Sequence, residues 1–207
     1  MQYVVIDTET SALFGAYKDA EGKPIPADAD GGPRLAELAM IFLDAELKPE
    51  RETAMYVRPD NWKMDPGATE KNGLTDEFLN EHGQDVKLVL EEYRKAVEDE
   101  RRVVVAYGAQ FDCKILRGEL RRAGMSDMFD ITLNTCLMRS SSGLGVVKAN
   151  GKKGWPGLAD VCAHFGIEME KAHTGLSDAR AAAAILPKLI ELGVLQPPGV
   201  HKAKGVE

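Results

Sequence analysis

Val4-Val5-Ile6-Asp7-Thr8-Glu9-Thr10 is a short apolar run that ends in two carboxylates spaced two residues apart. Successive side chains of an extended strand alternate between its faces, so Asp7 and Glu9 project to the same side. Carboxylates this close repel and raise each other's pKa unless a cation that prefers oxygen ligands lies between them. The stretch therefore predicts a strand that ends in a divalent-metal site, although two solvated acids at a fraying strand end would have the same sequence.

Composition sets the limits for the rest of the chain. With 207 residues, 44% of them hydrophobic, we expect a single domain over residues 1–194 and a disordered tail at 195–207. There is no basic segment followed by an apolar one at the start, and no apolar run approaches the roughly 20 residues of a membrane span. A soluble, cytoplasmic protein without membrane contacts is expected. Three cysteines far apart indicate neither a zinc cage nor a disulfide framework.

The charge is unevenly distributed. A net charge of -7 disfavours a protein that coats nucleic acid by charge alone. The segment from Arg139 to Gly157 nevertheless carries bases and no acid, within a loop rich in Ser and Gly. A polyanion would meet the protein here, so the candidate substrate-binding residues of this segment are Lys148, Lys152 and Lys153.

Hydrophobic patterns predict alternating strands and helices. Five strands are expected, at residues 2–8, 35–43, 53–57, 103–106 and 127–133. Helices are expected at residues 85–97, 109–123, 158–165 and from about 178 to 192, whereas Pro66, Gly67 and Asn72-Gly73 indicate turns. Between the first two strands, Ser11–Pro33 forms a long loop, which is typical of a binding loop or of a disordered insertion.

Two further acids head the apolar stripes of predicted helices. Asp112 lies on the stripe of Ile115 and Leu116, in the first turn after a buried strand. Asp178 heads the stripe that continues through Ala182 and Ile185. An acid in the first turn of a helix is favoured by the helix dipole, which explains the position of both but not their inward direction. We therefore favour a shared site over two isolated helix-terminal charges.

A histidine precedes the second of these acids. On an ideal helix, His173 would lie about 140° round the axis from Asp178, so it is expected to project from the preceding loop or first turn. A lone histidine is more often an ordinary polar residue than a catalyst, but beside a cluster of carboxylates it becomes a candidate general base.

These residues resemble a known family. Asp7-Thr8-Glu9, Phe111-Asp112 and His173-Thr174-Gly175-Leu176-Ser177-Asp178 are similar, in this order, to the three motifs of the DEDDh (DnaQ-like) 3′–5′ exonucleases. That family includes the proofreading subunits of replicative DNA polymerases and ribonuclease T. Arg34-Leu35-Ala36-Glu37 resembles its second strand, and the likeness extends to about Leu192.

The chain departs from the family pattern at two places. It has Tyr107-Gly108-Ala109 where the family often has His-Asn-Ala, and Asn72-Gly73-Leu74 where it often has His-Gly-Ile. Neither departure falls on a metal ligand of the family pattern. They bear on substrate preference and binding.

The resemblance implies a ribonuclease H-like α/β fold, with a mixed five-stranded sheet whose first three strands are antiparallel and with helices on both faces. It implies that Asp7, Glu9, Asp112 and Asp178 hold two Mg²⁺ or Mn²⁺ ions, with His173 as the general base. The residues expected to line the 3′-terminal nucleotide are Thr8, Thr10, Leu13 and Phe14.

The implied activity is metal-dependent 3′–5′ hydrolysis of single-stranded or frayed nucleic acid, with DNA favoured and nucleoside 5′-monophosphates released. Two alternatives stay open at this point. One is an exoribonuclease that trims RNA 3′ ends, and the other is a catalytically idle nucleic-acid-binding domain on the same fold. A polymerase or another replication or repair protein is a candidate partner, and the oligomeric state is open.

Overall fold

A mixed six-stranded sheet organises the protein. The computed structural model describes residues 1–13, 15–126, 129, 131–148, 151, 154–170 and 174–200. The strands are β1 (Tyr3–Thr10), β2 (Leu35–Leu43), β3 (Pro49–Tyr56), β4 (Val103–Ala106), β5 (Leu133–Cys136) and β6 (Gly199–Val200). Their order across the sheet is β3-β2-β1-β4-β5-β6, so the strand with the paired acids is central.

The helices follow or separate these strands. They are α1 (Pro66–Asn72), α2 (Asp76–His82), α3 (Val86–Arg94), α4 (Ala109–Arg122), α5 (Leu137–Ser140), α6 (Leu158–Phe165) and α7 (Gly175–Glu191). A π-helical turn at Lys95–Asp99 extends α3, and a 3₁₀ turn at Ser141–Gly143 follows α5. Among the described residues, no helix is both long enough and apolar enough to cross a membrane.

Strand directions place the ends of β1 and β4 together. β1, β2 and β3 pair antiparallel, as predicted, whereas β4 runs parallel to β1 and β5 runs parallel to β4. Parallel strands have their carboxyl ends at one edge of the sheet. The chain that leaves β4 therefore starts α4 next to the end of β1.

Both faces of the sheet are covered by helices. Val4 and Ile6 of β1 pack against α3 and α4, and the alternating residues Tyr3 and Val5 pack against α6 and α7. Every residue of β2 is buried, because this strand has neighbours on both sides and helices on both faces. By the same alternation, Asp7 and Glu9 lie on the face covered by α7.

The last predicted strand, at the far edge of the sheet, is misplaced. The fifth strand lies at Leu133–Cys136 and not at residues 127–133. A sixth strand also follows, where a tail was expected from residue 195. Gly199–Val200 pairs antiparallel with β5, and the Thr135 hydroxyl donates to the carbonyl of Gln196 at 2.9 Å. This edge pairing explains why a short and partly polar segment forms a strand.

The turn expected at Pro66 and Gly67 is instead a helix. Pro66 occupies the first helical position, where its missing N–H is not needed, and the Asp65 side chain caps α1 by accepting from Gly67 N at 2.9 Å. Gly73 ends the helix at a φ of 75°. The residues that indicated turns thus mark the two ends of a short helix.

The long loop between β1 and β2 is anchored on α4. Ala27 is buried in the core, and the Arg122 guanidinium donates to the carbonyl of Ala29 at 3.1 Å. A Cβ at Gly118 would lie 2.9 Å from Asp28 Cα, so only glycine allows the loop to approach this closely. The second half of the loop is therefore part of the packed domain.

Candidate active site

Three carboxylates from the two ends of the chain converge above the carboxyl end of β1. Asp7 and Glu9 come from the strand, and Asp178 comes from the first turn of α7, which begins after its N-cap Thr174. One oxygen of each of the three lies within 4.8 Å of the others. Three hard oxygen donors at this spacing are the ligands that Mg²⁺ and Mn²⁺ prefer.

The fourth predicted acid lies on the wall of the same cleft. Asp112 is buried in the first turn of α4. Its Oδ1 accepts from the backbone N–H of Thr8 at 3.1 Å and from the Thr8 hydroxyl at 2.8 Å. Thr8 thus orients Asp112 through one carboxylate oxygen.

The cleft has a volume of about 350 Å³ and is lined by all four acids. Thr10 and Leu13 also lie on its wall, and Leu13 is 42% exposed. The remaining wall residues include side chains from α1, α4, α6 and the end of β4, namely Lys71, Asn72, Tyr107, Phe111 and Leu158. The cleft thus combines a cluster of carboxylates with apolar surface from Leu13, Phe111 and Leu158.

Burial raises the pKa of three of these acids, and neighbouring charges raise it further at Asp7 and Glu9. Burial raises the pKa of Asp7 well above its usual range, and the charges of Asp112, Glu9 and Asp178 raise it further. Burial also raises the pKa of Glu9 to about 7, although a hydrogen bond from the Asn72 side chain lowers it. The pKa of Asp112 rises to about 6 because of burial, despite the hydrogen bonds from Thr8. Such a cluster favours any cation that replaces the protons.

The predicted substrate-binding residues have different locations. Thr10 lines the cleft, but the residue is only 8% exposed. Its hydroxyl donates to the carbonyl of Ala12 at 2.9 Å. Lys148 is half-buried and does not line the cleft. The other predicted site residues lie outside the described residues, namely Phe14, Lys152, Lys153 and the candidate base His173.

The sequence-based prediction missed three residues of the site. Lys71 and Asn72, on the last turn of α1, line the cleft, and both lower the pKa of Glu9. Glu37 of β2 is 3% exposed and faces the start of α7, where Gly175 N donates to its Oε2 at 3.3 Å. A signal was available for Glu37, because it interrupts an otherwise apolar strand. Asn72 falls on one of the two departures from the family pattern, whereas Lys71 has no comparable signal because its element was misassigned.

Comparison with known proteins gives one family. The model of the RNase T family, described as exonuclease, matches residues 4–186. No curated protein matches the chain.

Several solved structures share the fold. Exonuclease I of E. coli in complex with a dT13 oligonucleotide has a TM-score of 0.71 at 18% identity, over 92% of this chain and 43% of that one. Exonuclease I from Methylocaldum szegediense has a TM-score of 0.68 at 20% identity, over 92% and 42%. The nuclease domain of 3′hExo, a DEDDh family member bound to rAMP, has a TM-score of 0.70 at 16% identity, over 97% of both chains.

These likenesses confirm the predicted ribonuclease H-like α/β architecture, with six strands in place of five. The chain spans about two fifths of the length of the exonuclease I structures that it matches. It spans nearly all of the 3′hExo nuclease domain.

Proposed function

The chain belongs to the RNase T exonuclease family, whose model matches residues 4–186. We therefore propose that it is a metal-dependent 3′–5′ exonuclease. Its substrate would be the 3′ end of single-stranded or frayed nucleic acid, and its products nucleoside 5′-monophosphates. The observation that carries the proposal is the approach of Asp7, Glu9 and Asp178 to within 4.8 Å, with Asp112 in the same cleft.

We propose that these acids hold two divalent cations, Mg²⁺ or Mn²⁺. Asp7, Glu9 and Asp178 offer oxygens to a common point, and Asp112 keeps Oδ2 for a ligand while Thr8 occupies Oδ1. When bound, two such ions lower the pKa of the attacking water and stabilise the charge on the scissile phosphate and on the leaving 3′ oxygen. The protein's own part is to hold the four carboxylates in place, while the bound cations favour their ionised forms.

His173 is the proposed general base, which takes the proton of the attacking water. It directly precedes Thr174, the N-cap of the helix that carries Asp178. Tyr107, on the cleft wall, is the alternative candidate for the base. Burial raises its pKa, and its hydroxyl donates to the carbonyl of Pro156 at 2.8 Å. Tyr107 is therefore protonated and held away from base catalysis.

The cleft wall would receive the terminal nucleotide. Leu13 and Phe111 offer apolar surface beside the acids, and Lys71 offers a positive charge to a phosphate oxygen. Lys148, Lys152 and Lys153 would hold the strand farther from the reacting bond through phosphate contacts. A polymerase or another replication or repair protein remains a proposed partner.

DNA is the favoured substrate, and RNA is the alternative. E. coli exonuclease I holds a dT13 oligonucleotide, whereas the 3′hExo domain, which matches over nearly all of its length, holds rAMP. The two substrates differ at the 2′-hydroxyl, which a cleft wall either accommodates or excludes.

The test compares matched DNA and RNA oligomers, single- and double-stranded, with a 5′ label, in Mg²⁺, Mn²⁺ or EDTA. We expect a ladder that shortens from the 3′ end, release of 5′-monophosphates, and no reaction in EDTA. Asp7→Ala should abolish hydrolysis and keep the fold, because it removes a ligand and relieves repulsion. Glu46→Ala, at an exposed carboxylate, is the matched control. Undiminished turnover by purified Asp7→Ala, or no turnover by the wild type on any oligomer, would contradict the proposal.

A further inference from the structure

A row of polar side chains crosses the sheet beneath the start of α7. Glu9, Glu37 and Tyr56 are Cα partners across β1, β2 and β3, so their side chains share the face that α7 covers. Like charges directly opposite each other on neighbouring strands destabilise a sheet. Glu37 is 3% exposed, and water therefore does little to screen its charge. Something other than solvent must stabilise this carboxylate.

The first turn of α7 meets this requirement. Gly175 N donates to Glu37 Oε2 at 3.3 Å, and the backbone amide of Leu176 also lowers the pKa of this carboxylate. The first amides of a helix have no partner within the helix and carry the positive end of its dipole. Burial raises the pKa of Glu37, and these two amides oppose the rise.

The absence of a side chain at Gly175 makes this contact close. A Cβ at this position would lie 3.0 to 3.2 Å from the carboxylate atoms of Glu37, closer than an ordinary van der Waals contact. The missing side chain thus lets the helix start rest directly on β2.

A second buried acid shows the ordinary alternative. Glu119 of α4 is held by Arg34, through bonds of 2.7 and 3.0 Å, and by Arg122 at 3.1 Å. In the described part of the chain Glu37 has no arginine or lysine partner and relies on helix amides. The contact between Glu37 and Gly175 therefore joins β2 directly to the start of α7.

From this arrangement we infer that Glu37 is a positioning residue, whose bond to the start of α7 sets where Asp178 meets Asp7 and Glu9. Asp178 follows Gly175 by three residues on the same helical turn. A shift of α7 along β2 would move its carboxylate away from the common point of the three oxygens. Glu37 acts through the helix, since the group of oxygens within 4.8 Å of one another comprises Asp7, Glu9 and Asp178. The inference rests on the proposed function.

The test uses two substitutions at Glu37 and one at the residue it contacts. Glu37→Leu removes the carboxylate acceptor at similar volume, and Glu37→Gln keeps an acceptor oxygen. Gly175→Ala adds a Cβ atom that crowds the same contact from the side of the helix. Tyr56→Phe, in the same row, is the matched control. Each variant is measured for kcat and KM on the best oligomer, for Mn²⁺ affinity by calorimetry, and for metal-free thermal unfolding.

We expect Glu37→Leu and Gly175→Ala to weaken Mn²⁺ binding and kcat by about 10- to 100-fold, as for other residues that orient metal ligands, with KM little changed. Glu37→Gln should stay within about threefold of the wild type, and Tyr56→Phe should match it. Wild-type Mn²⁺ affinity and kcat in Gly175→Ala and Glu37→Leu would overturn the inference. If Glu37→Leu fails to fold, Gly175→Ala and Glu37→Gln decide by the same criteria.

The two proposals fail differently. An inactive wild type that binds Mn²⁺ would contradict the exonuclease function, while the Mn²⁺ affinities of the variants still test the role of Glu37. An active wild type whose Glu37 variants are unaffected would contradict the positioning role alone.

Discussion

Glu9→Gln should stabilise the metal-free protein above neutral pH, although it removes a proposed metal ligand. Burial raises the pKa of Glu9 from an ordinary 4.5 to about 7, the Asn72 side chain opposes the rise, and Glu37 adds to it. Between these two values the folded protein keeps a proton that the unfolded chain releases. The free energy of unfolding therefore falls as the pH rises through this window and stays low above it.

The size of the effect follows from the two pKa values. A rise of the Glu9 pKa from 4.5 to about 7 lowers the free energy of unfolding of the ionised protein by about 3 kcal/mol. Because Glu9 is partly exposed, we reduce this figure to about 2 kcal/mol. Glutamine has no charge to bury, so the variant should gain this amount at pH 8 and nothing near pH 4. For a domain of this size the gain corresponds to a rise in Tm of about 4–8 °C.

The assay is thermal and urea unfolding in EDTA, followed by circular dichroism from pH 4 to pH 8.5. Glu46→Gln serves as control, because Glu46 is exposed. Addition of Mn²⁺ at pH 8 should stabilise the wild type more than Glu9→Gln, since the variant lacks one ligand. Equal stabilisation of Glu9→Gln at pH 4 and pH 8, or its destabilisation at pH 8 without metal, would refute the reasoning.

Two further predictions concern residues assigned from the sequence. If His173 is the general base, the wild-type rate should rise with pH as the imidazole loses its proton. His173→Ala should remove this rise and slow hydrolysis by about 10²–10⁴-fold in single-turnover assays, with metal affinity retained. An unchanged rate and pH profile would exclude His173 as the base. His173→Glu should recover part of the rate, and His173→Asn should not. Neutralising Lys148, Lys152 and Lys153 together should raise KM and flatten its salt dependence, with kcat little changed. An unaltered salt slope would show that this segment does not hold the substrate.

The sequence predicted the centre of the sheet better than its edge. The strands at residues 35–43 and 103–106 lie where they were expected, because continuous apolar runs are typical of strands buried on both faces. β5 was misplaced by several residues, since Ile131 suggested a strand but is 73% exposed. The polar Asn134 and Thr135 are in β5 because they bond to the segment around β6. Such a contact between distant segments leaves no local pattern.

The acids of the site were predictable because each one violates a local rule. Asp7 and Glu9 end an apolar strand, and Asp112 and Asp178 stand on apolar helix faces. Asn72 violates no such rule, since it stands at the end of a short helix beside Gly73, as an ordinary turn residue would. Its place beside Glu9 follows only from the packing of α1 against the end of β1.

The central position of β1 also governs the order in which the protein folds. β1 can pair with β2 early, but Tyr3 is beside Val103, about 100 residues later, so its other edge stays open until β4 has been synthesised. An open edge on a nascent chain attracts other strands, which makes this interval the one most exposed to aggregation and to chaperones. Asp178 follows later still, on a helix that docks onto β1 and β2. The nascent protein therefore carries Asp7 and Glu9 without the third carboxylate, and its site is completed only when α7 leaves the ribosome.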